Sequence, residues 1–157
     1  MRVSGSRPPT GTVFASRGCR APLLRCYRHI VAVIFLENWQ HECCGRPFAA
    51  DEVVTWPLTT DLGRDYLGTM LGSEVSKRLT AYVERHSEQV VETPLRVNAI
   101  RSVFCEYEPD PDGDHPRALR PVPGTAIFKE MNRVEHRSES LPGMHWVGYV
   151  VDAESAS

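Results

Sequence analysis

The eight residues Met144 to Val151 constrain this chain more than any other segment. Side chains of a strand alternate between two faces. One set here is Met144, Trp146, Gly148 and Val150; the other is His145, Val147, Tyr149 and Val151. Both sets are largely apolar, the pattern of an interior strand covered on both sides.

The remaining elements arrange themselves around that strand. Ile30 to Leu36 is a β-branched apolar run and reads as a buried strand. A loop from Glu37 to Pro47 follows. Glu52 to Leu58 alternates, carries Val53, Val54 and Trp56, and reads as a second strand that stops at Pro57 or just after it. Asp61 to Val91 is the helical part. Leu62, Tyr66 and Met70, then Val75, Leu79 and Val83, recur at helical spacing, with Tyr82 and His86 alongside. Gly72-Ser73 interrupts the series, with Ser73 as the N-cap of the second piece. Leu95 to Tyr107 is too long for an ordinary strand, which predicts a bend or bulge near Asn98 or Ser102. Glu108 to Pro123 reads as a loop, Thr125 to Val134 as a strand and His136 to Gly143 as a polar turn. The order strand, strand, helices, three strands predicts an α+β, mainly β, fold. Its economical form is a small curved antiparallel sheet or partly open five-stranded barrel, with a helical insertion between strands 2 and 3. This single domain spans residues 30–152, and residues 153–157 are expected to fray.

The first 29 residues are of another kind. Residues 1–36 hold six arginines and no acid, a sum of +6, whereas residues 37–157 sum to -8. Pro8-Pro9 and Pro22 break any helix, and no period of 2 or 3.6 is sustained. The apolar run at Ile30 comes late for a secretion signal, and it is far short of the roughly 20 residues of a membrane span. Only Lys77 and Lys129 stand against sixteen arginines, the bias of a GC-rich coding sequence. The segment is therefore expected to be a disordered extension, or upstream sequence translated from a start placed too early.

Catalytic patterns fail one by one. His41-Glu42-Cys43-Cys44-Gly45 opens like a zincin helix but lacks the second histidine. Asp110-Pro111-Asp112-Gly113-Asp114 has its glycine at the fourth place, not the sixth that a calcium loop needs. No nucleophile elbow and no phosphate-binding glycine loop occurs. Five cysteines, an odd number, argue against a disulfide framework. Cys43, Cys44 and Cys105 with His41 are the candidate metal set, for which zinc is the natural ion. The bland alternative is that Cys44 and Cys105 are small buried apolar residues. A vicinal Cys43–Cys44 disulfide is possible but strained. Trp39, Trp56 and Trp146 are candidate ligand-binding residues, an aromatic wall of the kind that lines grooves in small barrels. The commoner fate would bury two of the three. Arg96, Arg101, Arg117, Arg120, Arg133 and Arg137 could hold phosphates if they shared a face.

Trp39-x3-Cys43-Cys44-Gly45-x-Pro47-Phe48, followed by Asp51-x-Val53-x-x-Trp56, resembles an uncharacterised family of small actinobacterial proteins, a domain of unknown function. Ile100-Arg101-x-Val103-x-Cys105-x-Tyr107-Glu108, Arg120-Pro121-Val122-Pro123-Gly124 and Val147-Gly148-Tyr149-Val150-Val151 are similar to it too. The resemblance covers about residues 31–152. Ala50 stands where a turn glycine would be expected before the second strand. The family implies neither activity nor cofactor.

The leading expectation is a non-enzymatic, cytoplasmic binding or accessory module for a protein or small-molecule partner, with no cofactor and no membrane. The alternative is a metal-binding or thiol-dependent protein using the Cys-Cys-Gly loop. A third reading is single-stranded nucleic-acid binding, which the acidic body disfavours.

Overall fold

The computed structural model describes residues 31–136 and 139–156. The described chain runs β1 (Val31–Glu37), α1 (Asn38–Cys44), β2 (Phe48–Ala49), β3 (Val53–Thr59), α2 (Arg64–Leu71), α3 (Ser73–Arg78) and β4 (Ala81–Val83). It continues through β5 (Val91–Cys105), β6 (Tyr107–Pro109), β7 (Leu119–Pro121), β8 (Ile127–Met131), β9 (Arg133–Val134) and β10 (His145–Ser155). Five strands close a barrel in the order β10-β1-β4-β3-β5, with β5 returning to β10. An extra strand, β8, adds to β5. All of these pairings are antiparallel except β1–β4, which is parallel.

β5 is the spine. One edge pairs with β10 along Leu95 to Cys105. The other pairs first with β3, at Val91 to Arg96, and then with β8, at Ile100 to Phe104. So long a strand can serve three partners only by curling, and the register slips by one residue at Asn98, one of the two positions its length suggested. A second slip inserts Val147 into β10. It reverses the alternation there: Trp146, Tyr149, Val151 and Ala153 face the barrel interior, while Val147 and Val150 face outward. Gly148 makes this turn of phase with φ 142°. A side chain there would collide with the Leu36 carbonyl and approach the Glu37 Cα to 2.9 Å.

Two apolar clusters result, which is why the β10 sequence is apolar on both sets. Ile34, Leu36, Trp56, Val97, Ile100, Phe104 and Tyr149 are among those filling the barrel. Val33, Phe35, Val103, Cys105 and Val150 lie outside it, covered by Leu67, Met70, Leu71 and Leu79 around the helical insertion. The insertion thus covers one outer face of the barrel, between its second and third strands.

Several local expectations give way. Asn38–Cys44 is helix rather than loop. The helical part is only α2 and α3; β4 is a strand, and His86 lies beyond it. Ser73 is the first residue of α3, and Gly72 (φ 84°) precedes it as the cap. The second predicted strand, β3, does end just after Pro57, at Thr59. Thr125–Val134 divides into β8 and β9, which belong to different sheets. The segment 108–123 contains most of a hairpin, β6–β7. The C-terminal strand continues to Ser155 with Ala153 fully buried, so fraying at 153 is not what is found. The turn before β3 places its left-handed residue at Asp51 (φ 68°), so Ala50 needs no glycine. The reading of residues 1–29 lies outside the described residues.

Candidate functional site

α1 carries most of the residues singled out by sequence, and its seven residues point them in different directions. Gln40 and His41 face inward and are buried. Gln40 ties α1 to the chain after β4, donating to Glu84 Oε1 (3.1 Å) and accepting from the Arg85 backbone N–H (3.1 Å). His41 packs edge-on against Phe48, Trp146 and Tyr149. Its Nε2 lies 2.9 Å from the Glu135 carbonyl, an acceptor only, so Nε2 carries the proton. Nδ1 is then a buried acceptor with no partner. Burial, the largest cause, holds the His41 pKa below its ordinary value, and His136 and Arg85 push the same way. Gly45 is required below it, because a side chain there would run into the His41 ring and backbone.

The predicted metal set therefore does not converge. His41 is sealed in the barrel end. Cys105 is fully buried in the outer cluster, and burial pushes its thiol up to about 11. Cys43 and Cys44, by contrast, are exposed at the C-terminal end of α1, joined as a vicinal disulfide. His86 joins them. Its Nε2 lies 3.5 Å from Cys43 Sγ, and the three ligand atoms are all within 4.8 Å of one another. Sequence gave little warning of this partner, 43 positions away on what looked like a helix face. Its backbone N–H is held by Glu84 Oε1 at 2.8 Å.

The three tryptophans do not form one wall. Trp56 and Trp146 are core residues. The first packs on Phe48 at 5.0 Å, and the second donates its Nε1–H to the Gly148 carbonyl at 3.1 Å. Trp39 alone is exposed (43%), stacked on the His86 ring at 5.3 Å and 20°. Nor do the arginines gather. Arg101 pairs with Asp152, Arg120 with Glu108 and Arg133 with Glu52 and Glu135, while Arg96 donates to the Asp51 carbonyl. Arg137 lies outside the described residues.

Beside the Cys43–Cys44–His86 corner opens a groove of about 790 Å³, within the usual range of ligand sites. Cys44, Arg46, Phe48, Arg85 and Glu92 are among its walls, and β3 from Val53 to Pro57 runs along it. β3 has a free edge here. Among the described residues it pairs with β4 only at Leu58 and Thr59. The direction of the main-chain groups follows from two prolines. Thr55 lies opposite Pro94, which has no N–H, so this is a non-hydrogen-bonded pair. Pro57, two residues on, has its carbonyl turned away from β5 to accept from the Glu84 N–H at 2.9 Å. Val53 and Thr55 share that phase, so their N–H and C=O groups face away from β5 and toward the groove. Arg85, on the wall, has a buried Nε with no hydrogen-bond partner, and desolvation lowers its pKa.

A second cavity of about 320 Å³ lies between α2 and β4, with Glu37, Asp61, Tyr66, Tyr82 and Glu84 in its walls. Its central carboxylate is already engaged: Glu37 accepts hydrogen bonds from both the Tyr66 and Tyr82 hydroxyls. Burial followed by the Glu37 carboxylate raises both phenol pKa values. This cluster braces the helical insertion against the barrel.

The model of DUF6578, a family of unknown function, matches residues 30–155, and the chain belongs to that family. No curated protein and no solved structure matches it. Among the described residues, no helix is long and apolar enough to cross a membrane.

Proposed function

We propose that this DUF6578 member is a non-enzymatic binding module that takes an extended segment of a partner protein into the groove along β3. The observation that carries the reading is the free edge at Val53 and Thr55. Donors and acceptors that alternate at strand spacing are matched by another extended main chain, which would add as a strand. Arg85 gives the ligand a second mark. A buried guanidinium N–H without a partner costs stability until an acceptor arrives, so the bound segment presents a carboxylate there. The compartment is the cytoplasm in this reading, and the Trp39-to-Phe48 motif supports an actinobacterial origin, with which the Arg-over-Lys bias of a GC-rich coding sequence agrees.

The test uses acidic peptides selected from a random library on the full chain. Bound peptide should protect the Val53 and Thr55 amides from hydrogen exchange, and Arg85→Ala should weaken binding about tenfold or more, the scale of a lost charge-assisted bond. Selected peptides that leave both amides unprotected and bind Arg85→Ala equally well would end the proposal.

A further inference from the structure

We infer that the corner formed by Cys43, Cys44 and His86 is a site for a thiophilic cation of the zinc class, open when the cysteine pair is reduced. It stands apart from the groove reading and does not depend on it.

Three features carry the inference. The ligand types are right: two thiolates and a neutral imidazole are a common zinc donor set. The spacing is right for the pair the disulfide does not join, Cys43 with His86; the two sulfurs are bonded to each other and part on reduction. Zinc–sulfur bonds of about 2.3 Å and zinc–nitrogen bonds of about 2.0–2.1 Å at a tetrahedral angle place S and N about 3.6 Å apart. Cys43 Sγ and His86 Nε2 are 3.5 Å apart. The histidine is also held in place before any cation arrives. Trp39 stacks on its ring, and Glu84 Oε1 holds its backbone N–H. All three ligands are exposed, so a cation reaches them without opening the core. Three protein ligands leave a fourth position for water.

A cellular dithiol supplies two electrons and two protons to the Cys43–Cys44 bond and itself becomes a disulfide. The two thiols then release their protons to the medium as the divalent cation binds. Oxidation of the pair removes both thiolates, so cation binding and the vicinal disulfide are mutually exclusive states of one corner.

The experiment uses the full chain with Cys19→Ser and Cys26→Ser, which removes the two cysteines outside the described residues. The protein is reduced, freed of reductant without oxygen, and titrated with cadmium and then with zinc as competitor. One equivalent should bind with a sulfur-to-metal charge-transfer band, and zinc should displace it. Cys43→Ser should abolish the band. His86→Ala should weaken binding about tenfold or more, the scale on which site ligands and their supports act. Cys105→Ser should leave it unchanged, and far-ultraviolet circular dichroism should show each variant folded. Absence of a charge-transfer band in the reduced protein overturns the inference. So does binding that His86→Ala leaves untouched, since the thiols alone would then be the site.

Discussion

Gly148→Ala should be among the most damaging single-methyl changes in the protein. Gly148 sits where β10 slips register, with φ 142°, a region L-residues rarely occupy. Holding a non-glycine residue in such a conformation costs about 1–3 kcal/mol. The added methyl would also meet the backbone of the 36–38 segment: the Leu36 carbonyl, the Glu37 Cα and the Asn38 nitrogen. None of these is the end of a flexible side chain. Overpacking adds about 1–3 kcal/mol more. The sum, about 2–6 kcal/mol, is a large share of the 5–15 kcal/mol that holds a typical domain. The measurement is urea unfolding followed by tryptophan fluorescence, which Trp146, two residues away, should report. With a slope of about 1–3 kcal/mol per molar, a loss near 4 kcal/mol moves the midpoint down by roughly 2 M. Gly143→Ala is the control, because Gly143 also has a positive φ (72°) but open space around its Cα. It should lose only about 1–2 kcal/mol, from backbone conformation alone. Equal losses in the two variants, or a Gly148→Ala loss under about 1 kcal/mol, would refute the argument from close backbone approach.

Three further outcomes follow from the same packing. Gly45→Ala should destabilise by about 1–3 kcal/mol, because the methyl has only the His41 ring and backbone to displace; Gly63→Ala, with open space and an ordinary φ of -64°, is the comparison, and parity between them in urea would refute this. The lowered His41 pKa means the unfolded chain takes up a proton near pH 6.5 before the folded one does. Stability should therefore fall as pH drops below 6.5 toward the lower folded value, by up to about 1.4 kcal/mol per pH unit for this group. Thermal midpoints between pH 7.5 and 5.5 should be flatter in His41→Gln, and an unchanged slope contradicts the assignment. Finally, the Cys105 thiol, buried and pushed up to about 11, should resist iodoacetamide at pH 8 in native protein and react once urea unfolds it; labelling at equal rates in both states would place it at the surface instead.

Much of the barrel is legible in the sequence because burial leaves a period. The two-faced apolarity of 144–151 demands cover on both sides, and the structure provides it as two clusters. The length of the segment after Leu95 demanded a break, and the register slips at Asn98. What escapes detection is structure whose buried face is polar or whose span is short. α1 hides Gln40 and His41, so hydrophobic periodicity finds nothing in it. β4 has three residues, and Leu79 and Val83 sit four apart, as helical neighbours would. Reading that stretch as helix placed His86 on a helix face and cost the corner its third ligand. Cys43 and Cys44 were visible as candidates, but their company depends on a tertiary contact between α1 and the chain beyond β4.

The pairing of the first described strand with the last bears on biosynthesis. Val31 pairs with Glu154, and Leu36 with Tyr149, so the barrel's closing seam joins the two ends of the described chain. On the ribosome β1 would emerge first and wait, with Ile34, Phe35 and Leu36 uncovered, until β10 followed it out. Contacts so distant in sequence are closed late and slowly, on the order of milliseconds to seconds even in a free chain. A nascent chain of this kind therefore depends on being complete, and one that stops before β10 should be a substrate for chaperones and proteases rather than a partly working protein.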